Sequence, residues 1–410
     1  MPILFNKSKA KKYPTRKSQT LFSASSSGRG SGVAESKWQF LQIDKKLTLV
    51  TFVFVCGGLL FTYSSSAFGS TDFFKRQLIF DCIGIVAALF LSQTYVKIQK
   101  VIKPIWLMYV SWGMLIAVLF TEPIANVHRW INIGPFNIQP SEIAKVTLVI
   151  YLANYLSSVQ GKLAKNFSML IKPLVISGIT FFLIQKAPDL GTVVLMGCVM
   201  MTMFFVAGAR LWHLVLLSVG CGVPYLLYQI ICYPYRLTRV LTFFNPEATA
   251  DSSGYQLDLS LVAVGSGGWF GKGLGNSELK LEYLPEAHTD FIFSIMCEEL
   301  GLIRVLFILF LFCYILTRGI ALARISKNSF YSLTIFGMTL TICLQAFINM
   351  GMAIGLGPTK GIALPFFSYG GSSVIMTLVM MGIILNLAAS EAQPKHPYQD
   401  DFTNYRNRNK

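Results

Sequence analysis

The sequence predicts an all-α integral membrane protein with about ten transmembrane helices, and two observations lead to this fold class. Of the 410 residues, 53% are hydrophobic and 13% are charged, whereas globular chains carry about 25% charged residues. Apolar runs of about 20 residues, the length that a bilayer demands, recur along most of the chain. Because a lipid-exposed backbone must satisfy its own hydrogen bonds, these runs are expected to form helices.

The apolar runs also predict the domain organisation. A polytopic domain, 47–389, lies between a basic tail, 1–46, and a mixed-charge tail, 390–410, both expected to be disordered. A large loop, 232–289, separates the seventh and eighth spans and is long enough for a short re-entrant helix. The first run begins behind the polar tail and is interpreted as a signal anchor, with no cleaved signal peptide. The predicted spans are 47–66, 76–94, 104–121, 141–157, 171–186, 190–208, 211–231, 290–317, 331–354 and 364–388.

The distribution of charge predicts the orientation of these spans. The formal net charge is +16, but the basic residues lie in a tail and in short loops, which argues against nucleic-acid binding. The connections 95–103, 157–172, 208–211 and 317–330 contain ten Lys and Arg and no Asp or Glu. Cytoplasmic loops are enriched in Lys and Arg. Both termini are therefore predicted inside, and the loop 232–289 outside.

The stretch 281–293, Leu-Glu-Tyr-Leu-Pro-Glu-Ala-His-Thr-Asp-Phe-Ile-Phe, places polar groups at the outer mouth of the eighth span. Thr289 is a candidate N-cap, and Asp290 would then lie in the first helical turn, where the helix dipole favours a carboxylate. Glu298 and Glu299 follow about 12–14 Å deeper. Acids at such depth indicate a functional site. Glu286 and His288 are further candidates in the same stretch.

Other outer segments supply further candidate residues. Arg129 and Trp130 precede the fourth span, and Trp130 is either an interfacial anchor or a substrate contact. Glu142 and Lys145 are three residues apart in that span, so they can pair on one face. Asp189 is interpreted as a helix cap first and a ligand second.

The remaining candidates lie in the loops after the seventh and ninth spans. Arg236 and Arg239 would lie on successive helical turns. Lys272 belongs to a glycine-rich loop, 265–275, whose N–H groups could cradle phosphate, and Lys280 follows it. Lys360 is either a phosphate ligand or a snorkelling lysine. Prolines and glycines around Ser368 and Ser372 predict a broken helix that lines a cavity.

Together these motifs resemble the SEDS family (shape, elongation, division and sporulation), which polymerises peptidoglycan from lipid II. The resemblance covers about residues 47–390, and Ala287 is typical of the division branch, since the elongation branch usually has Arg there. It implies that Asp290 is the catalytic aspartate and that Arg129, Trp130, Lys145 and 358–361 match family motifs. Leu259 and Leu279 replace usual glutamines, and Arg304 replaces a common glycine.

The expected chemistry is attack of a sugar hydroxyl on an anomeric carbon with a lipid pyrophosphate leaving. A carboxylate general base assists such a nucleophile, and fixed cations should face the leaving group. Asp290 is the base, and the candidate cations are Lys145, Arg236, Arg239, Lys272, Lys280 and Lys360. No metal-ligand motif is present, although a divalent cation (Mg²⁺ or Mn²⁺) could assist at the pyrophosphate. The resemblance implies an inverting displacement.

The resemblance also implies a setting and partners. It predicts a multi-pass protein of the bacterial cytoplasmic (inner) membrane at the division septum, acting with a class B penicillin-binding protein (an FtsI-like transpeptidase), with other divisome membrane proteins and with membrane lipid. Two alternatives remain open: a flippase for lipid II, or a non-catalytic scaffold that recruits the transpeptidase. The candidate polar residues cluster at the outer side, which favours the enzyme, because a flippase needs polar groups through the full depth.

Overall fold

The computed structural model describes residues 43–66, 72–123, 127–134, 136–244, 253–278 and 289–392. Within them the architecture is helical, with one small antiparallel hairpin. The hairpin pairs β1 (Ile131–Ile133) with β2 (Phe136–Ile138). The helices are α1 (Lys45–Ser66), α2 (Asp72–Val101), α3 (Pro104–Ala117), α4 (Pro140–Ser158), α5 (Ile171–Lys186), α6 (Leu190–Val206), α7 (Leu211–Leu217), α8 (Val223–Ile231), α9 (Pro234–Phe244), α10 (Ser253–Ser266), α11 (Ile292–Ile325), α12 (Ser329–Ala353) and α13 (Gly371–Ala392).

Each of the ten predicted spans overlaps helical residues. Among the described residues, seven helical segments are long and apolar enough to cross a membrane. The segments Pro104–Phe120 and Leu190–Val206 are apolar but shorter, and α4 carries the charged pair of Glu142 and Lys145. The all-helical membrane fold is thus confirmed, whereas the count of ten crossings stays a prediction.

Two predicted helix boundaries are wrong. The helix α11 begins at Ile292 with Phe291 at the N-cap position and no side-chain cap, so Thr289 does not cap it. Asp290 therefore lies in the turn before the helix and not in its first turn. The last span was expected from residue 364, but α13 begins at Gly371. Pro365 lies in the intervening turn, and a proline inside a helix removes a backbone hydrogen bond at a cost of about 3 kcal/mol.

The bundle is centred on α4 and α12, most of whose side chains are buried. Around them α2 and α13 pack closely, because a Cβ on Gly84 would lie 2.5 Å from Leu378 and one on Gly382 would lie 2.6 Å from the backbone of Ala88. An amide crosses the same interface: Nδ2 of Asn386 donates to the carbonyl of Ser92 at 2.6 Å. The amide of Gly370, which directly precedes α13, also donates to Oε1 of Gln77 on α2 at 3.5 Å.

The segment after α8 contains α9, α10 and the glycine-rich loop. This loop packs on α11 near its break at Gly301, where φ is +75°. The amides of Leu302 and Ile303 donate to the carbonyls of Gly268 and Trp269 at 2.9 and 3.3 Å. The contact lies about ten residues along α11, roughly 15 Å from its start. A re-entrant helix in this segment stays a prediction.

Candidate functional site

The backbone around Asp290 is held by side chains of two neighbouring segments. Nδ2 of Asn349, on α12, donates to the carbonyl of Asp290 at 2.8 Å. Oγ of Ser368 donates to the carbonyl of Thr289 at 2.6 Å and accepts from the amide of Leu364 at 2.6 Å. The turn that carries Asp290 is therefore fixed from both sides by α12 and by the segment before α13.

The carboxylate of Asp290 faces Gly361 and Arg129. A Cβ placed on Gly361 would lie 3.1 Å from Oδ2 of Asp290 and 3.7 Å from Nη1 of Arg129. A side chain at position 361 would therefore occupy the space between the acid and the guanidinium group. The glycine keeps this space open where the two charged groups converge.

The guanidinium group of Arg129 is anchored to the loop between α5 and α6. Its Nε donates to the carbonyl of Ala187 at 3.3 Å, and its Nη2 donates to the carbonyl of Pro188. Nη1 is directed toward Gly361. Trp130 is half-buried beside it, and its carbonyl accepts from Oγ1 of Thr121 at 3.2 Å. The structure thus brings the predicted arginine close to the aspartate. The two roles considered for Trp130, an interfacial anchor and a substrate contact, both stay predictions.

Asp189 is the N-cap of α6, as predicted. Its Oδ1 accepts from the amide of Thr192 at 3.1 Å, and its Oδ2 accepts from Oγ1 of Thr192 at 2.8 Å and Oγ of Ser141 at 3.1 Å. The residue is 4% exposed. Its capping role is therefore present, and its buried carboxylate links the start of α4 to the start of α6.

Glu142 and Lys145 form the predicted ion pair in the interior of the bundle. Nζ of Lys145 lies 2.8 Å from both carboxylate oxygens of Glu142 and 2.6 Å from Oε1 of Gln345. Lys145 is 1% exposed. An ammonium group has three N–H donors, and two of them go to Oε1 of Glu142 and Oε1 of Gln345, whereas Oε2 of Glu142 is close to the charge without accepting a hydrogen bond. The structure therefore places this cation among protein groups.

Arg236 and Arg239 lie on α9, in the loop segment between α8 and α10. Nη1 of Arg236 donates to Oε1 of Gln229, and burial lowers the pKa of Arg236. Nη1 of Arg239 donates to the carbonyl of Thr359 at 2.9 Å. This bond joins α9 to the segment that contains Gly361.

Lys360 lies next to Gly361 in the loop before α13. It is half-buried, and burial lowers the pKa of its ammonium group. A lowered pKa favours the neutral amine unless an anion is near. The two roles considered for Lys360, a phosphate ligand and a snorkelling lysine, both stay predictions.

Three amides of the glycine-rich loop donate to backbone carbonyls, and the side chain of Lys272 meets a buried carboxylate. Phosphate binding by this loop stays a prediction. The amides of Lys272 and Gly273 donate to the carbonyls of Glu298 and Glu299 at 2.9 and 3.1 Å, and the amide of Gly271 donates to the carbonyl of Gly267 at 2.8 Å. Nζ of Lys272 lies 2.9 Å from Oε1 of Glu298. This hydrogen bond raises the pKa of Lys272.

Ser372 and Leu259 have packing roles in the structure. Oγ of Ser372 accepts from the amide of Gln139 at 3.0 Å and donates to the carbonyl of Asn137 at 2.8 Å, which ties the hairpin to α13. Leu259 packs against Phe291 and Ile295. The position at which the resemblance leads one to expect glutamine is therefore apolar and contacts the start of α11. Lys280, Glu286, His288 and Leu279 lie outside the described residues.

Two site residues were missed by the sequence analysis, Gln345 and Asn349. Both are amides inside an apolar span, four residues apart, and both are buried. Residues at i and i+4 share a helix face, so this spacing was a readable signal. Their hydrogen bonds connect α4, the Asp290 turn and the 358–364 segment.

The described residues contain no group of three or more His, Cys, Asp and Glu that could hold a metal ion. Mg²⁺ needs only one or two protein carboxylates when substrate phosphates supply further oxygens. Asp290 offers one carboxylate, with the guanidinium group of Arg129 near it. The divalent cation at the pyrophosphate thus stays a prediction.

Comparison with known proteins identifies the family. A family model described as cell cycle protein, which groups FtsW, RodA and SpoVE, matches residues 43–393. The chain belongs to the FtsW, RodA and SpoVE family. This confirms the resemblance to the SEDS proteins, which rested on the motifs around Arg129, Lys145 and Asp290.

Individual members of the FtsW, RodA and SpoVE family match over most of the chain. A probable peptidoglycan glycosyltransferase FtsW of Coxiella burnetii is 38% identical over 84% of this chain and 96% of its own length. The stage V sporulation protein E of Bacillus subtilis is 38% identical over 84% of this chain and 96% of its own. A solved chain from a study of a peptidoglycan synthase complex that coordinates polymerization and crosslinking superposes with a TM-score of 0.73, at 26% identity, over 87% of this chain and 100% of that one.

Proposed function

We propose that the chain is a peptidoglycan glycosyltransferase that polymerises lipid II into glycan strands during septal wall synthesis. The observation that carries the proposal is the convergence of the Asp290 carboxylate and the Arg129 guanidinium group across Gly361. It occurs at the end of α11 that the charge distribution predicts to face outward. Family membership supplies the reaction class, and relatives named as peptidoglycan glycosyltransferases support it.

In the proposed reaction Asp290 accepts a proton from the attacking sugar hydroxyl. The hydroxyl oxygen forms a bond to the anomeric carbon, and the bond from that carbon to the pyrophosphate oxygen breaks. The leaving lipid pyrophosphate keeps the electron pair. A positioned general base contributes about 10²–10⁴-fold to such a step, and the displacement inverts the anomeric centre.

The fixed cations stabilise the negative charge that develops on the leaving group. Arg129 is one such candidate, because its Nη1 converges with Asp290 while its other nitrogens hold the Ala187–Pro188 turn. Lys360 belongs to the neighbouring segment 358–361, and Arg239 donates to the carbonyl of Thr359 in the same segment. A bound Mg²⁺ or Mn²⁺ would supply further neutralisation at the pyrophosphate.

The proposal includes a place and a partner. The chain acts in the bacterial cytoplasmic membrane at the division septum, with a class B penicillin-binding protein that crosslinks the strands and with other divisome membrane proteins. The solved chain from a peptidoglycan synthase complex supports a partner of this kind. The substrate and the glycan product lie on the outer side, which agrees with the predicted orientation of Asp290.

The decisive experiment is polymerisation of purified lipid II by the purified full-length protein, with and without the co-purified class B penicillin-binding protein. Glycan strands resolved on a gel are the expected result. Two controls are a lipid II flipping assay in vesicles and a crosslinking assay of the partner. If lipid II is flipped but no glycan strands form in the presence of the partner, the chain is a flippase. If the partner is active in its crosslinking assay but no glycan strands form, the chain is a scaffold.

A further inference from the structure

The two amides on α12, Gln345 and Asn349, lie between the buried ion pair and the acid of the site. Both side chains are almost fully buried, at 2% and 0% exposed. A buried amide must find hydrogen-bond partners, since an unpaired polar group costs free energy. The partners of the two amide nitrogens and of Oε1 of Gln345 all border the site or the ion pair next to it, whereas Oδ1 of Asn349 is buried without a hydrogen-bond partner among the described residues.

Asn349 joins two segments of backbone with a single amide nitrogen. Its Nδ2 donates to the carbonyl of Asp290 at 2.8 Å and to the carbonyl of Ile362 at 2.7 Å. The amide group has two N–H donors, so both are used. This contact fixes the separation between the turn that carries Asp290 and the segment that carries Gly361.

Gln345 makes the corresponding contact one helical turn earlier on α12. Its Nε2 donates to the carbonyl of Ala363 at 2.8 Å, and its Oε1 accepts from Nζ of Lys145 at 2.6 Å. The ammonium group of Lys145 can only donate, so it must face the amide oxygen of Gln345 and not the amide nitrogen. The lysine therefore fixes which way this amide is oriented. The ion pair of Lys145 and Glu142 therefore sets the orientation of the group that holds Ala363.

We infer that Asn349 and Gln345 are positioning residues of the polymerisation reaction, and that Lys145 acts on the site through Gln345. The inference rests on the proposed function for its kinetic consequence. The two amides hold the 358–364 segment against the Asp290 turn, so that the carboxylate and the guanidinium group of Arg129 keep their separation across Gly361. A displacement of about 1 Å at a reacting group can lower a rate by about 10²-fold.

The test compares variants of the full-length protein co-purified with its class B partner. Asn349→Leu removes both donated hydrogen bonds at nearly constant volume. Gln345→Glu keeps an acceptor for Lys145 but removes the donor to Ala363. Thr341→Val is the matched control, because Thr341 is buried on the same face one turn below Gln345 and its hydroxyl bonds only to Gly337 of its own helix among the contacts described.

The expected kinetic result is a loss in kcat of about 10- to 100-fold for Asn349→Leu and a smaller loss for Gln345→Glu. KM for lipid II should stay within about twofold, since neither side chain is placed to touch substrate. Thr341→Val should polymerise at the wild-type rate. Unchanged kcat in both amide variants, or a rise in KM at constant kcat, would overturn the inference.

Hydrogen–deuterium exchange supplies a readout that does not depend on activity. Backbone exchange in 289–291 and 358–364 should rise in Asn349→Leu at a temperature where the protein is folded, and Thr341→Val should match the wild type. If the wild type makes no glycan strands, the proposed function fails while the exchange data still test the amides. Equal exchange in Asn349→Leu and wild type refutes the positioning role, whatever the activity.

Discussion

The ε-ammonium group of Lys272 lies 2.9 Å from Oε1 of Glu298, a carboxylate that is fully buried in α11. Its other oxygen, Oε2, accepts from Oγ of Ser277 at 2.5 Å, and Oε1 also accepts from the amide of Glu278 at 3.2 Å. Lys272 of the glycine-rich loop and the residues Ser277 and Glu278 that follow the loop thus enclose one buried acid. The same lysine meets a second acid, Glu278, at 3.3 Å, and that side chain is 80% exposed.

We predict that Glu298→Ala destabilises the protein and that Glu278→Gln does not. Removing the buried carboxylate leaves Ser277 and a backbone amide without their acceptor, and such losses cost about 1–3 kcal/mol. An exposed pair contributes about 0–1 kcal/mol. Thermal unfolding of the purified proteins in detergent measures both, and equal melting temperatures for Glu298→Ala and wild type would refute the role of this acid.

The close crossing of the glycine-rich loop and α11 leads to a second prediction. A Cβ on Gly267 would lie 2.0 Å from the carbonyl oxygen of Cys297, whereas one on Gly265 meets nothing within 4 Å. Gly267→Ala should therefore lower the melting temperature, because the two backbones must separate. Gly265→Ala should be neutral or slightly stabilising, since alanine favours a helix by up to about 1 kcal/mol over glycine. Similar melting temperatures for the two variants would contradict the crossing.

Features set by neighbouring residues were predictable from the sequence. The pairing of Glu142 with Lys145 follows from their spacing on one helix, and the cap at Asp189 follows from its place before α6. The apolar runs located the helices because only one regular structure satisfies the backbone in lipid without a partner strand. In each case the deciding interaction lies within a few residues of the chain.

Features that depend on distant segments were not predictable. Asn349 and Asp290 are separated by 59 residues, and no local pattern says which carbonyl a buried amide will meet. The glycine-rich loop suggested phosphate because its flexible amides could face any acceptor. Its partners proved to be the carbonyls and carboxylate near Gly301, where α11 breaks. An isolated glycine in an apolar run gives little warning of such a break.

The ion pair on α4 leads to a third prediction. Lys145→Ala should destabilise the protein by about 3–5 kcal/mol, because it leaves the buried carboxylate of Glu142 without its cation. It should also reduce polymerisation, because Gln345 loses the group that orients it. Thermal unfolding and glycan-strand formation measure the two effects separately.

The double variant Glu142→Gln with Lys145→Met separates stability from activity. It removes both charges, so folding should recover, since a buried pair can be replaced by uncharged groups at little cost. Activity should stay low. A Lys145→Ala variant that folds and polymerises like the wild type would show that the pair is dispensable.

The last prediction concerns Asp290 as the general base. Asp290→Asn preserves the size of the side chain. It also leaves in place the backbone carbonyl of residue 290, which accepts a hydrogen bond from Asn349. Expression, membrane insertion and binding to the class B partner should therefore be unchanged. Turnover of lipid II should fall by about 10²–10⁴-fold, the contribution of a positioned base, because an amide cannot accept the hydroxyl proton.

Glu286 and His288 are the rival bases in the same stretch, so Asp290→Asn is measured beside Glu286→Gln and His288→Ala. Each variant removes one proton acceptor, and glycan-strand formation from purified lipid II is the common readout. We expect the Glu286 and His288 variants to keep most of the rate, because the convergence with Arg129 and Gly361 belongs to Asp290. Near-normal polymer from Asp290→Asn together with loss in one of the other two would transfer the role of base to that residue. Near-normal polymer from all three would remove the carboxylate mechanism.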